Sequence, residues 1–464
     1  MPCHRFHSAV SRREALRSCA AGFGSLAFAA MAGRSVAGPS VYPAHFAPRA
    51  RRVIFLFMWG GASHVDLFDP KPRLSQDAGK TLHGSDIGLG ANRLGEILGS
   101  PFSFRRHGQS GMWMSELTPH LARHADKLCM VRSLHTEGSA HGEALLRLHT
   151  GNANLVRPSV GAWVSYGLGS DSEDVPAFVT ISPPRGHGGV QNYGSAFLPA
   201  RHQGTAIGSA EIPIAQARIP NLESARIDRD LQRQQLDLIQ TFNRNHLGTS
   251  AGDAKVDGLI SSYELAFRMQ STMPAIMGLD GESQTTLDAY GVDQEPTDNF
   301  ARQCLLARKF AEAGARYIQV STDYTWDHHT KVKEGLIGET AKTDQPIAAL
   351  LDDLDQRGML EDTLVLWGGE FGRTPMAENK DGRNHHPQAL SVWMAGGGVK
   401  PGLSYGATDE FGYRPVEDPM HMHDLHATLL HLLGMDHTKL TYKHAGRDFR
   451  LTDVFGNVAT KILA

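Results

Sequence analysis

The sequence predicts an α/β protein: a mostly parallel central sheet with helices on both faces, interrupted by a mainly helical insertion. Three observations carry this. Continuous apolar runs of strand length end in glycine, helical repeats lie between them, and from about 205 to 296 helical periodicity takes over with no strong strand.

Taken in order, RRVIFLFMWGG holds an unbroken apolar run from Val53 to Trp59 that stops at two glycines, the pattern of a strand buried on both faces. KLCMVRS at 127–133, AFVTI at 177–181 and RYIQVST at 316–322 have the same character. NFARQCLLARKFAEAGA, ending at Gly314, predicts a helix feeding the last of these. The order recurs: a helix over IAALLDDLDQRG to Gly358, a strand from Thr363 to Trp367, and a strand from Ala389 to Ala395 ending in three glycines. In the insertion, DRDLQRQQLDLIQTF and VDGLISSYELAFRMQ are helical. HDLHATLLHLLG puts Leu425, Leu429 and Leu432 on one face, with Asp424 as N-cap and Gly434 as stop.

A chain of 464 residues, 41% hydrophobic, can bury a large core, and we expect one domain over 51–464 carrying the insertion. A net charge of -3 with both signs interspersed offers no basic stripe for nucleic acid and no polybasic membrane patch. From Ser11 the chain reads SRREALRSCAAGFGSLAFAAMAG, with Arg12 and Arg13 before a weakly apolar run. We read residues 1–40 as a twin-arginine signal, implying a periplasmic or extracellular protein without a transmembrane span in its mature form. Cys3 and Cys19 fall within that segment; Cys129 and Cys304, each in an apolar pattern, read as buried thiols.

In a parallel α/β sheet the ligand crevice lies beyond the C-terminal strand ends. After the first strand come His64, Asp66 and Asp69; after RYIQVST come Asp323, Asp327, His328 and His329. After TLVLW come Glu370 and Arg373, and 12 residues past Glu370 begins GRNHHP, a Gly/Pro-rich loop with His385 and His386. Carboxylates and imidazoles are the ligands of zinc and the harder divalent cations. The D-x-H spacing sets Asp327 and His329 on one side of an extended loop, and the planar fork of Arg373 suits a phosphate, sulfate or carboxylate. Taken singly, Asp66 and Asp69 also fit turn or cap positions beside Pro70, and Glu370 a strand-end charge. Adjacent residues of an extended loop point apart, so only one of His385 and His386 is expected to reach an ion; we take His385 as that ligand, completing Asp327 and His329, and His386 as its neighbour.

The strings LFMWGGASHVDLFDPKP, SLHTEGSAHGEALLRLHTG, TWDHH, GGEFGRTP, GRNHHPQALSVWMAGGGVKPG and HDLHATLLHLLG resemble the exported bacterial family known as domain of unknown function 1501. That family in turn resembles the alkaline phosphatase and sulfatase superfamily. The resemblance implies an alkaline phosphatase-like fold, with Glu370 where the superfamily carries a metal-binding aspartate and Phe371 at the neighbouring ligand position. It implies that Asp66 shares that first metal, and that Asp327, His329 and one GRNHHP histidine hold the second. One divalent ion rather than two follows, with zinc, calcium, magnesium and manganese all open. Nine residues before Thr150-Gly151, where sulfatases carry a modified Cys or Ser, this chain has His141 and no Cys-x-Pro-Ser-Arg. His141, Thr136, Ser139 and metal-activated water stay open as the attacking group.

The resulting expectation is a metal-dependent hydrolase of phosphate or sulfate esters, acting outside the cytoplasm on a small or glycan-linked anionic substrate. Asp66, Asp327, His329, Glu370 and His385 are expected at the metal, Arg373 on the anion, and His141 in proton transfer or attack. Two competitors are an exported binding protein that keeps the fold without turnover, and oxidation or isomerisation at a single metal.

Overall fold

The computed structural model describes residues 44–217, 227–249 and 254–464. Arg12 and Arg13, the rest of the 1–40 signal, Cys3 and Cys19 lie outside the described residues.

The centre is one nine-stranded sheet. Its strands are β1 (Arg52–Phe57), β2 (Leu128–His135), β3 (Phe178–Ile181), β4 (Thr205–Ile207), β5 (Tyr317–Ser321), β6 (Thr363–Gly368), β7 (Leu390–Ala395), β8 (Leu403–Tyr405) and β9 (Met420–His421). Across the sheet they run β8-β2-β7-β6-β1-β5-β3-β4, with β9 also on β2. Only β7 is antiparallel to its neighbours; every other pairing is parallel. The C-terminal ends of β1, β2, β5 and β6 therefore share one edge.

The continuous apolar strands are explained by helices on both faces. Along β1, Ile54 and Leu56 enter one core with Phe300, Leu305 and Leu351, while Val53, Phe55 and Phe57 enter another with Leu145, Trp163 and Leu429. The first layer is built from the helices Asp298–Glu312 and Val332–Gln356, the second from His141–Thr150, Val160–Leu168 and Met422–Leu432. Cys129 and Cys304 are buried, free thiols. Between 205 and 296 the chain contributes edge strand β4 and then the helices Arg229–Thr249, Ala254–Met277 and Gln284–Tyr290. Among the described residues no helix is long and apolar enough to cross a membrane.

Two local readings change. GRNHH is a strand, not a loop: Gly382–His386 pairs antiparallel with Gly372–Glu378. Asp424 is not the N-cap, because the helix begins two residues earlier; it sits at the third helical position, where its Oδ2 accepts the His421 N–H at 2.8 Å.

Candidate metal centre

Four strand ends and one hairpin meet at this edge. Beyond β1, Gly60 adopts φ +124°, and a Cβ there would fall 2.7 Å from the Asp327 nitrogen, so only glycine allows the two loops to approach this closely. The Gly60 N–H donates to both Glu370 oxygens, at 3.1 and 3.3 Å. The loop after β5 carries Asp327 and His329, and Gly382 packs against the His329 carbonyl with no room for a Cβ. His141 opens the helix that follows β2, and His385 comes from the hairpin.

One ligand atom from each of His141, Asp327, His329 and His385 lies within 4.8 Å of all the others. Asp327 Oδ1 is 3.0 Å from His329 Nε2, 3.2 Å from His385 Nε2 and 3.4 Å from His141 Nε2, and the Nε2 atoms of His329 and His385 are 2.9 Å apart. Each ring is held from behind through Nδ1. His141 Nδ1 meets Glu370 Oε1 at 2.7 Å, His385 Nδ1 donates to the Ser139 carbonyl at 2.6 Å, and His329 Nδ1 meets the Glu378 carboxylate. A carbonyl or carboxylate oxygen only accepts, so Nδ1 carries the hydrogen in each ring and Nε2 turns its lone pair inward.

Electrostatics follow from this crowding. Burial alone would raise the Asp327 pKa, yet His141, His385 and Arg373 hold it well below the carboxylate range. Burial lowers that of His141, but Asp327 and Glu370 outweigh it and the net shift is upward. Tyr324 donates to Asp327 Oδ2 at 2.8 Å. His141 Nε2 is buried and has no hydrogen-bond partner among the described residues. An inward-facing orphan nitrogen, two more imidazole lone pairs and a carboxylate oxygen form a donor set that fits a cation.

The other expected residues lie differently. Glu370 stands behind His141 and outside the converging group. Asp66 is fully buried against Arg383, with Nε at 2.7 Å and Nη2 at 3.1 Å, and accepts from Ser63 Oγ at 2.5 Å. Arg383 also donates to the Thr374 and Leu98 carbonyls, so this carboxylate faces an internal guanidinium. Arg373 is 1% exposed and spends its donors on the carbonyls of Gly60, Gly61 and Arg383 and on Asp327, leaving no free fork for an anion. His386 turns away, its Nε2 donating to the Tyr413 carbonyl at 2.5 Å. Ser139 takes part through its carbonyl. Glu378 and Tyr324 were not anticipated. The NKDG turn at 379–382 was the available signal for Glu378, since it marks a hairpin that folds Glu378 back beside the histidines.

The family described as protein of unknown function (DUF1501) matches residues 50–463. No curated protein matches the chain. Among solved structures, it is similar to the lipoteichoic acid synthase LtaP from Listeria monocytogenes, at 11% identity, 93% of this chain, 80% of that chain and a TM-score of 0.36. It is also similar to the PsFucS1 sulfatase from Pseudoalteromonas sp. (13% identity, 83% and 68% covered, TM-score 0.36). A third is the phosphonate monoester hydrolase SpPMH from Silicibacter pomeroyi (10% identity, 82% and 73% covered, TM-score 0.37). Likeness of this degree leaves the chemistry to this chain's own residues.

Proposed function

The chain belongs to the family described as protein of unknown function (DUF1501), and from that premise we propose a metal-dependent hydrolase of phosphate or sulfate esters that acts outside the cytoplasm. The observation that carries this reading is the convergence of three Nδ1-anchored imidazoles and Asp327 on one point. His141, Asp327, His329 and His385 would hold the ion. A set of three imidazoles and one carboxylate suits zinc and its transition-metal neighbours, whereas calcium and magnesium favour oxygen ligands. Such an ion supplies Lewis acidity and brings the pKa of water to about 7.

The protein's part is to aim the ligands. Glu370, Glu378 and the Ser139 carbonyl fix the three rings; Arg373 and Tyr324 fix Asp327. Phe371, whose ring lies 4.5 Å from that of His385 and 4.8 Å from that of His141, keeps water from their flank. With hydrocarbon at Phe371 and Asp66 committed to Arg383, we favour a single ion. Among the described residues no serine or threonine hydroxyl bonds to His141, which supports attack by water over attack by Thr136 or Ser139 and, with its place in the converging group, supports a ligand role for His141.

That same missing hydroxyl also supports a second reading, a binding protein that holds the ion without turnover. The test is elemental analysis of protein purified without added metal, alongside hydrolysis of a panel of phosphate and sulfate esters. Asp327→Ala and His329→Ala should lose bound metal and turnover together, each by more than about 100-fold, beyond the effect of an outer partner. Hydrolysis by metal-free protein rules the proposal out; bound zinc with no turnover selects the second reading.

A further inference from the structure

Three rings pack beside the ligand cluster without belonging to it. His187 stacks on His141 with centroids 5.1 Å and planes 24° apart, and Tyr324 meets His141 edge-on at 5.1 Å. Trp59 lies 4.7 Å from Tyr324 and 5.7 Å from His187. His187 sits at φ +48° in the run Gly186–Gly189, its carbonyl held by the Asn192 amide at 3.2 Å. Its ring is thus fixed over His141 in a backbone conformation that a residue with a Cβ rarely adopts.

Two buried polar atoms in this group have no hydrogen-bond partner among the described residues: Trp59 Nε1 and His187 Nδ1. An indole N–H can only donate, and leaving it buried and unpaired is costly. The indoles of Trp326 and Trp393 are also unpaired, but they pack against Trp367 in the core. Trp59 instead packs on Tyr324, which is 37% exposed and bonded to the ligand Asp327.

We infer that Trp59, His187 and Tyr324 form the site for the organic half of the substrate, and that this half is a polyhydroxylated ring, a sugar. The exposed Tyr324 ring offers apolar area to the ring carbons, while the unpaired nitrogens of Trp59 and His187 packed behind it call for hydroxyl groups that an aryl ester lacks. The inference rests on the ester-hydrolase reading for the place of the anionic group; its own content is the assignment of Trp59 and His187.

The test is calorimetric binding to the zinc-loaded full chain of glucose 6-phosphate, phenyl phosphate and inorganic phosphate, with the three sulfate counterparts. For at least one anion the sugar ester should bind about tenfold or more tighter than both the phenyl ester and the inorganic anion. Trp59→Phe keeps the ring and removes the N–H; it and His187→Ala should each weaken only the sugar ester, by roughly three- to tenfold, the worth of one hydrogen bond. Zinc content should not change, and His187→Asn, which restores a polar atom near Nδ1, should recover part of the loss. Phenyl esters binding as tightly as sugar esters, or variants that weaken both equally or neither, would overturn the inference. Sugar preference without turnover of any ester would sink the hydrolase reading and leave this one standing.

Discussion

Glu370 and Glu378 lie behind His141 and His329, touching Nδ1 of each ring. A carboxylate in that position fixes the tautomer and makes the ligating nitrogen more basic, and losing such a partner typically weakens metal binding about 10–100-fold. Glu370→Gln and Glu378→Gln should therefore each lower affinity by that factor in a chelator competition, with the bound metal otherwise unchanged. If Glu370 were itself a ligand, the loss would exceed this range and match that of Asp327→Ala. The two glutamates also differ in legibility. Glu370 closely follows a strand, so its place near the site could be read from sequence, though not its position behind the His141 ring. Glu378 reaches the site only through the hairpin pairing, a non-local fact that no periodicity displays.

At the scale of elements, the hairpin Gly372–Glu378 and Gly382–His386 is the part that must be held still, since it carries His385 and Glu378. Arg383 on its second strand binds Asp66 on the short helix His64–Leu67 that follows β1, with both side chains fully buried. Burial works against the Asp66 charge, but Arg383 and Ser63 more than offset it and hold the carboxyl below its ordinary range. Removing one partner of such a pair strands the other charge, which costs about 3–5 kcal/mol. Asp66→Asn should lower the urea unfolding midpoint accordingly while the folded variant keeps its zinc affinity. Lost metal with unchanged stability would return Asp66 to the ligand set. The elements themselves were legible wherever apolar runs met glycine, as at Val53 to Trp59 and Thr363 to Trp367. The hairpin shows in the sequence only at its NKDG turn; its second strand does not, because GRNHHP has neither alternation nor an apolar face and the strand exists through pairing. Asp66 and Arg373 show the same limit for the site: their types and positions after strands suit a ligand and an anion clamp, and only the tertiary contacts reveal that each charge is already spent inside the protein.

At the scale of the whole molecule, the histidines set a response to acid that is separate from the metal. Burial in the helix layer above β1 pushes His149 down to about 4 and His426 to about 3, and burial beside Arg201 brings His202 to about 3. All three are essentially core residues, each with a ring nitrogen bonded to a backbone carbonyl or a serine hydroxyl. The sign follows from linkage: in the unfolded chain these rings take a proton near pH 6.5, whereas the fold keeps them neutral to much lower pH. Their contribution to stability is therefore complete above pH 6.5 and is lost as the pH falls from there toward 3–4. Each ring adds about 1.4 kcal/mol per pH unit within that window, so the three together can unfold a domain of ordinary stability before most carboxylates titrate. Urea midpoints at pH 7.5, 6.0 and 5.0 should decline steeply below 6.5. His149→Leu should flatten the decline by about one proton relative to the parent chain measured alongside it. Because the metal ligands are the same in both proteins, their own titration cancels in that difference. An unchanged slope would mean that His149 is protonated in the fold and that the layer above β1 is wetter than its packing implies.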